Sequence, residues 1–173
     1  MIMDIKSYIR YVDNYPSSGI LFRDITPLIY SPKVFKYIID KLCDHINPSE
    51  IDVICSIDSR GFIFGAPVSY KLSIPFVLLR KKGKLPPDVY SSNYQLEYGS
   101  STLELSRNLV SINSNVALID DLLATGGSAL AANDLISKSG SLVKNFLFVI
   151  ELLELNGRKK LPKNSNVFTV VED

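Results

Sequence analysis

The sequence has no tryptophan, a single histidine and only two cysteines. One histidine, His45, argues against a zinc site built from several imidazole ligands. Cys43 and Cys55 lie in apolar stretches and lack the paired spacing of a disulfide or metal-binding motif. We therefore expect two free, buried thiols in a protein of a reducing compartment.

Long hydrophobic runs and an excess of charge of one sign are missing too. No window reaches the roughly 18 apolar residues that a membrane-spanning helix needs, and residues 1–13 lack the apolar segment of a signal peptide. The 19 Lys and Arg residues against 18 Asp and Glu give a net charge of +1. That balance argues against a surface built as a whole to hold nucleic acid or an anionic membrane. We expect a cytoplasmic protein that binds neither.

The remaining composition is that of an ordinary globular protein. Hydrophobic residues make up 46% and charged residues 21% of the chain, which excludes disordered, collagen-like and coiled-coil proteins. A length of 173 residues fits one well-filled core, since a domain typically takes roughly 100–200 residues. The sequence therefore predicts a single domain over residues 1–173.

Apolar runs and amphipathic segments alternate along most of the chain. Helices are predicted at 4–12, 32–46, 61–72 and 127–138, and strands at 51–57, 75–79, 116–119, 143–151 and 167–171. Strands separated by helices of about 10–15 residues predict crossover connections and a parallel sheet. The fold class is therefore α/β, with a mostly parallel central sheet flanked by helices.

Residues 81–99 interrupt this alternation. Glycine and proline punctuate the segment before Val89, and Ser, Asn and Tyr follow with no sustained apolar period. Loops of this length within compact domains are usually functional. We expect a mobile loop or an irregular hairpin here.

The segment 116–128, VALIDDLLATGGS, has the pattern of a site for a phosphorylated sugar. Ligands of an open parallel sheet bind beyond the carboxyl ends of its strands, and an apolar strand is predicted to end here at Asp120 and Asp121. Two adjacent carboxylates can accept hydrogen bonds from vicinal sugar hydroxyls or hold a hydrated Mg²⁺. The acid pair therefore predicts a ribose site.

A glycine-rich turn follows the acid pair and opens a helix. Glycines let successive N–H groups converge on an anion, the helix N-terminus adds partial positive charge, and Thr125 and Ser128 add hydroxyl donors. The turn at 124–128 therefore predicts a site for the 5-phosphate. The alternative is that Thr125 or Ser128 simply caps the helix. Receiver domains also carry an acid pair at a strand end, but have no reason to place a phosphate cradle directly after it.

This segment resembles the phosphoribosyl diphosphate (PRPP) motif of the type I phosphoribosyltransferases. Further segments occur in the order and spacing of the adenine phosphoribosyltransferases: GILFRDITPL (19–28), DSRGFIFGAPV (58–68), LRKKGKLP (79–86) and YQLEYGSSTLEL (94–105). The resemblance implies a single-domain type I phosphoribosyltransferase fold with an N-terminal hood (1–30) and a mobile catalytic flap (81–106). It also implies a homodimer that uses Mg²⁺ and transfers the phosphoribosyl group of PRPP to adenine, giving AMP and pyrophosphate.

The resemblance also implies roles for individual residues. PRPP is expected to bind Asp120, Asp121, Ala124, Thr125, Gly126, Gly127 and Ser128, and its diphosphate Arg60, Arg80, Lys81 and Lys84. Adenine is expected to lie against Leu21, Phe22 and Arg23, with the aromatic ring stacked on the purine. Glu97 is expected to exchange a proton at the base and Tyr98 to close the site against water. Mg²⁺ is expected to be held mainly by PRPP, without a direct protein ligand, and to meet Asp120 and Asp121 through water.

Taken without the resemblance, the same residues allow structural interpretations. Phe22 lies among apolar neighbours and could be a core aromatic, and Arg60 could pair with Asp58. The four cations of 80–84 could form a solvated turn or a nucleic-acid patch, although no interleaved aromatic platform accompanies them. Alternative functions are a transferase for hypoxanthine or xanthine, a PRPP-binding regulator without turnover, and a receiver-like module.

Overall fold

The computed structural model describes residues 3–95 and 100–173. Within these ranges the chain forms nine strands and four α-helices. The helices are α1 (Thr26–Tyr30), α2 (Pro32–Asp44), α3 (Arg60–Leu72) and α4 (Gly127–Lys138). The strands are β1 (Arg10–Asp13), β2 (Leu21–Asp24), β3 (Val53–Ile57), β4 (Phe76–Lys81), β5 (Val89–Gln95), β6 (Ser100–Ser106), β7 (Asn115–Leu123), β8 (Leu142–Glu151) and β9 (Asn166–Glu172).

Seven of these strands form the central sheet, in the order β5-β6-β4-β3-β7-β8-β9. The five strands β4, β3, β7, β8 and β9 are mutually parallel, whereas β6 joins β4 antiparallel and β5 pairs antiparallel with β6. The prediction of a mostly parallel α/β sheet is confirmed. Among the described helices, none has both the length and the apolar character to cross a lipid bilayer.

Both faces of the sheet are covered, because neighbouring residues of the central strands point to opposite sides. In β3, Ile54 packs into the core cluster that includes residues of α2 and α3, whereas Cys55 packs into the cluster that includes residues of α4. A strand buried on both faces reads as a continuous apolar run, which is why its sequence shows no polar alternation. Both cysteines are free and buried, as predicted.

The predicted helix at residues 4–12 is wrong. Ile5 and Ile9 are buried as the helical spacing requires, but the segment forms one 3-10 turn at Lys6–Tyr8 and then β1. β1 and β2 pair antiparallel into a two-stranded sheet, here called the hood hairpin. A short segment with the β-branched and aromatic run Ile9 to Val12 favours a strand once a partner strand is available.

The interrupted region after β4 is more regular than predicted. β5 and β6 form a hairpin in continuous register from Val89↔Ser106 to Gln95↔Ser100. Leu103 and Leu105 of β6 are buried in the core cluster that includes residues of α4, and this burial stabilises the hairpin. Glu97 and Tyr98 lie outside the described residues.

Candidate active site

Asp120 and Asp121 lie inside β7 rather than after it. The predicted strand end at Ile119 is wrong, because β7 continues to Leu123 and stays paired with β8 as far as Leu123↔Glu151. On the other side, the described pairing with β3 ends at Ser56↔Ile119. The acid pair therefore occupies the part of β7 where the neighbouring strand has stopped, and the loop that precedes α3 comes close instead.

The two carboxyl groups are buried and differ in their partners. Asp120 Oδ1 accepts a hydrogen bond from the Asp121 N–H at 2.9 Å, and Asp121 Oδ2 lies 2.8 Å from Nε of Arg60. Burial raises the pKa of both carboxyls, and the Arg60 guanidinium opposes this rise in the pKa of Asp121. The pairing of Arg60 with Asp58, considered from sequence, does not occur.

Gly61 lets the first turn of α3 approach the acid pair. A Cβ at this position would lie 2.8 Å from Asp120 Oδ1 and 2.9 Å from the Ile119 carbonyl oxygen. Side chains larger than hydrogen would push α3 away from β7. The absence of a side chain at Gly61 therefore allows α3 and β7 to pack closely.

The glycine-rich turn joins β7 to α4 and packs against a segment that is distant in the sequence. Gly126 is the N-cap of α4 with φ of +79°, so neither Thr125 nor Ser128 takes the capping position proposed as the alternative. Behind the turn lies Gly157, whose missing Cβ would stand 2.1 Å from the Ala124 carbonyl oxygen. The turn at 124–128 therefore packs directly against the backbone of Gly157.

The cationic turn after β4 is organised by a buried carboxylate. Asp58 Oδ2 accepts hydrogen bonds from Nε of Arg80 at 2.9 Å and from the Lys81 N–H at 3.3 Å, and Nζ of Lys84 lies 3.5 Å away. Burial alone would raise the pKa of Asp58, but the hydrogen bond from Arg80 and its neighbours hold that pKa below the usual value. The cations are therefore not a freely solvated turn.

A second acid fixes the tip of the same turn. Glu104 of β6 is buried, and its Oε2 accepts a hydrogen bond from the Gly83 N–H at 2.9 Å. Glu104 also stands opposite Arg80 in the β4–β6 register. The sequence carries a weak signal for this role, since Glu104 is a charged residue between two leucines.

The hood hairpin presents Phe22 towards the sheet edge. Phe22 is half-buried, Tyr15 meets its ring edge-on at a centroid distance of 5.1 Å, and the Arg60 guanidinium lies 5.7 Å from the ring centroid. An aromatic ring in this position is open to a ligand, so the interpretation of Phe22 as a core aromatic is wrong.

Arg23, the next residue, turns its side chain away from solvent. Its Nε donates to Asp173 Oδ2 at 2.8 Å, one terminal nitrogen donates to the Leu21 carbonyl at 2.8 Å, and the other lies 3.5 Å from Glu154. Asp173 and Glu154 were not found from the sequence, because their contact with the hood spans more than 130 positions of the chain.

One cavity of about 950 Å³ brings most of these groups together. The hood contributes Pro16, Gly19, Ile20, Leu21, Phe22 and Arg23, and the sheet edge contributes Arg60, Lys81, the residues 120–128, Leu152, Glu154 and Leu155. Arg80 and Lys84 lie outside this lining, against Asp58. The cavity therefore combines an aromatic wall, cations, two carboxyl groups and a helix N-terminus, which are the groups that a base, a diphosphate and a sugar phosphate require.

The comparisons with known proteins identify the family. The phosphoribosyl transferase domain profile matches residues 29–172. A curated adenine phosphoribosyltransferase of Gloeobacter violaceus is 47% identical over 169 residues, which are 98% of this chain and 99% of that protein. The chain belongs to the adenine phosphoribosyltransferase family.

Solved structures of this family share the whole fold. The adenine phosphoribosyltransferase of Thermoanaerobacter pseudethanolicus superimposes with a TM-score of 0.94 at 39% identity, covering 100% of both chains. The Saccharomyces cerevisiae enzyme, solved with an imino-altritol bisphosphate and adenine, gives a TM-score of 0.87 at 37% identity over 97% of both chains. The predicted type I phosphoribosyltransferase fold is confirmed.

Within this phosphoribosyltransferase, no group of three or more His, Cys, Asp or Glu side chains in the described ranges is arranged to hold a metal ion. The two carboxyl groups of the acid pair line the cavity. Mg²⁺ is usually bound by one or two carboxylates, water and substrate phosphates, so this donor set fits an ion that arrives with its substrate.

Proposed function

We propose that this chain transfers the 5-phosphoribosyl group of PRPP to adenine, releasing pyrophosphate and forming AMP, a purine-salvage reaction. The observation that carries the proposal is the single cavity shared by Phe22, the acid pair and the turn at 124–128. The yeast relative was solved with adenine and a bisphosphate sugar analogue, which supports the same pair of ligands for this chain.

The sugar phosphate binds at the β7–α4 junction. Backbone N–H groups at the start of α4 and the hydroxyls of Thr125 and Ser128 bind the 5-phosphate, and Asp120 and Asp121 accept hydrogen bonds from the ribose hydroxyls. Hydrogen bonds to ionised groups are stronger in a buried site than in water. These contacts hold C1 of the ribose in line for attack by the base.

The diphosphate binds towards the cations. Departure of pyrophosphate leaves positive charge on the ribose and adds negative charge to the leaving group. Arg60 and Lys81 line the cavity, and Arg80 and Lys84 are held in place by ion pairs with Asp58. Fixed cations stabilise charge that develops in the transition state without reorganising.

The base binds under the hood hairpin. Stacking of a base on an aromatic side chain contributes roughly 1–3 kcal/mol, and Phe22 offers such a ring. Backbone groups of Leu21 and Arg23 on the same strand would read the edge of the purine. Glu97 would exchange a proton at the base as the new bond forms, and Tyr98 would exclude water.

The acid pair also fits Mg²⁺. Asp120 and Asp121 would hold the ion through water while PRPP supplies its direct ligands. When bound, Mg²⁺ offsets the negative charge of the diphosphate.

Residues 1–173 form, in this proposal, one phosphoribosyltransferase domain with a hood (1–30) and a flap (81–106). The homodimer rests on the resemblance to the family. The cytoplasmic location rests on the same resemblance and on the two free thiols.

The decisive experiment is AMP formation from adenine and PRPP, measured with and without Mg²⁺. A panel of adenine, hypoxanthine, guanine and xanthine tests the choice of base. The proposal predicts turnover with adenine that needs Mg²⁺. Turnover with another purine and not with adenine would show that the substrate is that purine. Tight PRPP binding without turnover of any base would indicate a regulator.

A further inference from the structure

The hood hairpin is not part of the central sheet. β1 and β2 pair with each other, and in the part of the chain that the structure describes neither strand pairs with the seven-stranded sheet. No backbone ladder therefore fixes the distance from Phe22 to the turn at 124–128. Apart from the main-chain connection through Ile25 to α1, that distance depends on side-chain contacts between the hairpin and the rest of the protein.

One carboxylate receives a hydrogen bond from each strand of the hairpin. Asp173 Oδ1 accepts from Oη of Tyr11 at 2.9 Å, and Oδ2 accepts from Nε of Arg23 at 2.8 Å. Tyr11 and Arg23 stand directly opposite each other in the β1–β2 register, so their side chains leave the same face of the hairpin. The Asp173 carboxylate thus binds both strands of the hairpin at the same register position.

The backbone of Asp173 is anchored to the central sheet. Its N–H donates to the Glu151 carbonyl at 2.8 Å, and its own carbonyl accepts from the Leu153 N–H at 3.0 Å. Between these residues, the Leu152 N–H donates to the Leu123 carbonyl of β7 at 2.9 Å. Asp173 therefore connects the hood hairpin to the strand that carries the acid pair.

The pair formed by Asp173 and Arg23 is well shielded from solvent. The side chains are 15% and 11% exposed, whereas Glu154, the other acid near Arg23, is 66% exposed and 3.5 Å away. Burial favours the neutral form of Asp173, but the hydrogen bonds from Arg23 and Tyr11 hold its pKa below the ordinary value. The carboxylate is therefore ionised at neutral pH, and a shielded ion pair is weakened less by salt than an exposed one.

We propose that Asp173 is a positioning residue for the base: through Tyr11 and Arg23 it holds the hood hairpin at the distance from the sheet at which Phe22 stacks on the purine. The inference rests on the proposed function. Asp173 lies outside the cavity lining, whereas Arg23 belongs to it. The effect of Asp173 on the substrate therefore passes through Arg23 and reaches the base more than the sugar.

The test compares Asp173→Asn with Glu172→Gln, a matched removal of one charge at the preceding, exposed residue. We expect Asp173→Asn to raise the KM for adenine on the order of tenfold, because misplacing a binding group by about 1 Å has effects of this size or larger. The KM for PRPP should change less than about twofold. Tyr11→Phe keeps the bond from Arg23 and should give a smaller rise, and Glu172→Gln should leave both constants unchanged.

An unchanged adenine KM in Asp173→Asn would overturn the inference. So would an equal rise in both KM values with a lower melting temperature, which indicates general destabilisation. Hydrogen exchange gives a readout that needs no turnover: amides of 10–24 should exchange faster in Asp173→Asn while those of 116–128 stay unchanged, and equal rates in variant and parent would overturn the inference. If the parent protein forms no AMP but the hood still exchanges faster in the variant, the proposed function alone has failed.

Discussion

Asp121 Oδ2 and Nε of Arg60 lie 2.8 Å apart, and both side chains line the same cavity. The proposed function assigns Asp121 to the ribose hydroxyls and Arg60 to the diphosphate. The two groups that the proposed function assigns to different parts of PRPP are therefore paired with each other. The Arg60 guanidinium supports the ionised form of Asp121, because it lowers the pKa that burial raises.

Arg60→Gln should shift the pH dependence of PRPP use. Arg60 opposes the burial that raises the pKa of Asp121, so its removal lets that pKa rise further. In the proposed function Asp121 accepts a ribose hydrogen bond as a carboxylate, so we expect the acid limb of kcat/KM for PRPP to move to higher pH. Profiles of variant and parent from about pH 5 to 9 measure this. Arg107→Gln, which removes an exposed arginine paired with Asp88, is the control, and an unmoved acid limb would contradict the assignment.

Asp120→Asn should stabilise the fold while weakening PRPP binding. The pKa of Asp120 is raised in the folded protein, first by burial and then by the charge of Asp121. An acid of this kind favours the folded state at low pH, and this contribution is lost as the pH rises through its raised folded value. The neutral amide avoids that loss, so the variant should melt a few degrees higher at pH 8, since about 1 kcal/mol corresponds to roughly 2–4 °C at this size.

Melting curves at pH 8 and pH 5, with PRPP titrations by calorimetry, test both effects of Asp120→Asn. The difference from the parent should shrink at pH 5, because more of the parent's Asp120 is protonated there. Asp4→Asn, at an exposed residue, should change neither stability nor affinity. A variant that melts lower at pH 8 would show that the ionised carboxylate stabilises the fold.

Gly157→Ala should weaken PRPP binding by displacing the turn at 124–128. The added methyl group would meet the Ala124 carbonyl oxygen at 2.1 Å, so the turn at 124–128 must move by more than a few tenths of an ångström. We expect the KM for PRPP to rise on the order of tenfold or more. Lys159→Ala, at an exposed residue of the 3-10 turn Gly157–Lys160, should bind PRPP normally. Equal PRPP constants for Gly157→Ala and the parent would show that the turn tolerates displacement.

Ser56→Ala should raise stability without changing catalysis. Within the described ranges, Oγ of Ser56 is fully buried and has no hydrogen-bond partner. Removing an unsatisfied buried hydroxyl recovers a desolvation cost of about 1–3 kcal/mol. Ser69→Ala is the matched opposite, because Oγ of Ser69 donates to the Ile74 carbonyl at 2.5 Å and its loss should lower the melting temperature. Denaturant unfolding of both variants decides the sign, and a less stable Ser56→Ala would mean that the hydroxyl contributes packing that outweighs its desolvation.

Phe22→Ala should weaken adenine binding selectively. A stacking contribution of roughly 1–3 kcal/mol corresponds to a rise of about 5- to 150-fold in the KM for adenine, with little change for PRPP. Tyr30→Ala removes an aromatic ring that is 88% exposed on α1 and serves as the control. An adenine KM equal to that of the parent would remove the stacking role.

The parts of the site that depend on neighbouring residues could be predicted from the sequence, and the parts that depend on distant contacts could not. The turn at 124–128 and its helix follow from local glycines, hydroxyls and apolar spacing. The placement of β1 depends on β2, which begins eleven positions after the start of β1, so the local helical spacing of Ile5 and Ile9 was misleading. Gly157 looks like an ordinary turn glycine until the fold places it against Ala124.

The acid pair shows the same limit on a smaller scale. The change from apolar to acidic residues at Asp120 indicated where the chemistry lies, but it did not indicate where the strand ends. β7 continues because Leu122 and Leu123 pair with β8, a condition that the strand's own residues do not reveal. Local composition located the acid pair, and the partner strand determined how deeply it is buried.

In the proposed function, Asp58 and pyrophosphate compete for the same cations, Arg80 and Lys84. Arg80 and Lys84 already share a carboxylate partner, so in the proposed function an arriving diphosphate competes with Asp58 for them. The net affinity of the diphosphate is then the difference between its own attraction to these cations and the attraction of Asp58 to them. In the proposed function, a cation cluster without this carboxylate would bind the product more tightly after the ribosyl group has moved, whereas the competing Asp58 favours release of pyrophosphate.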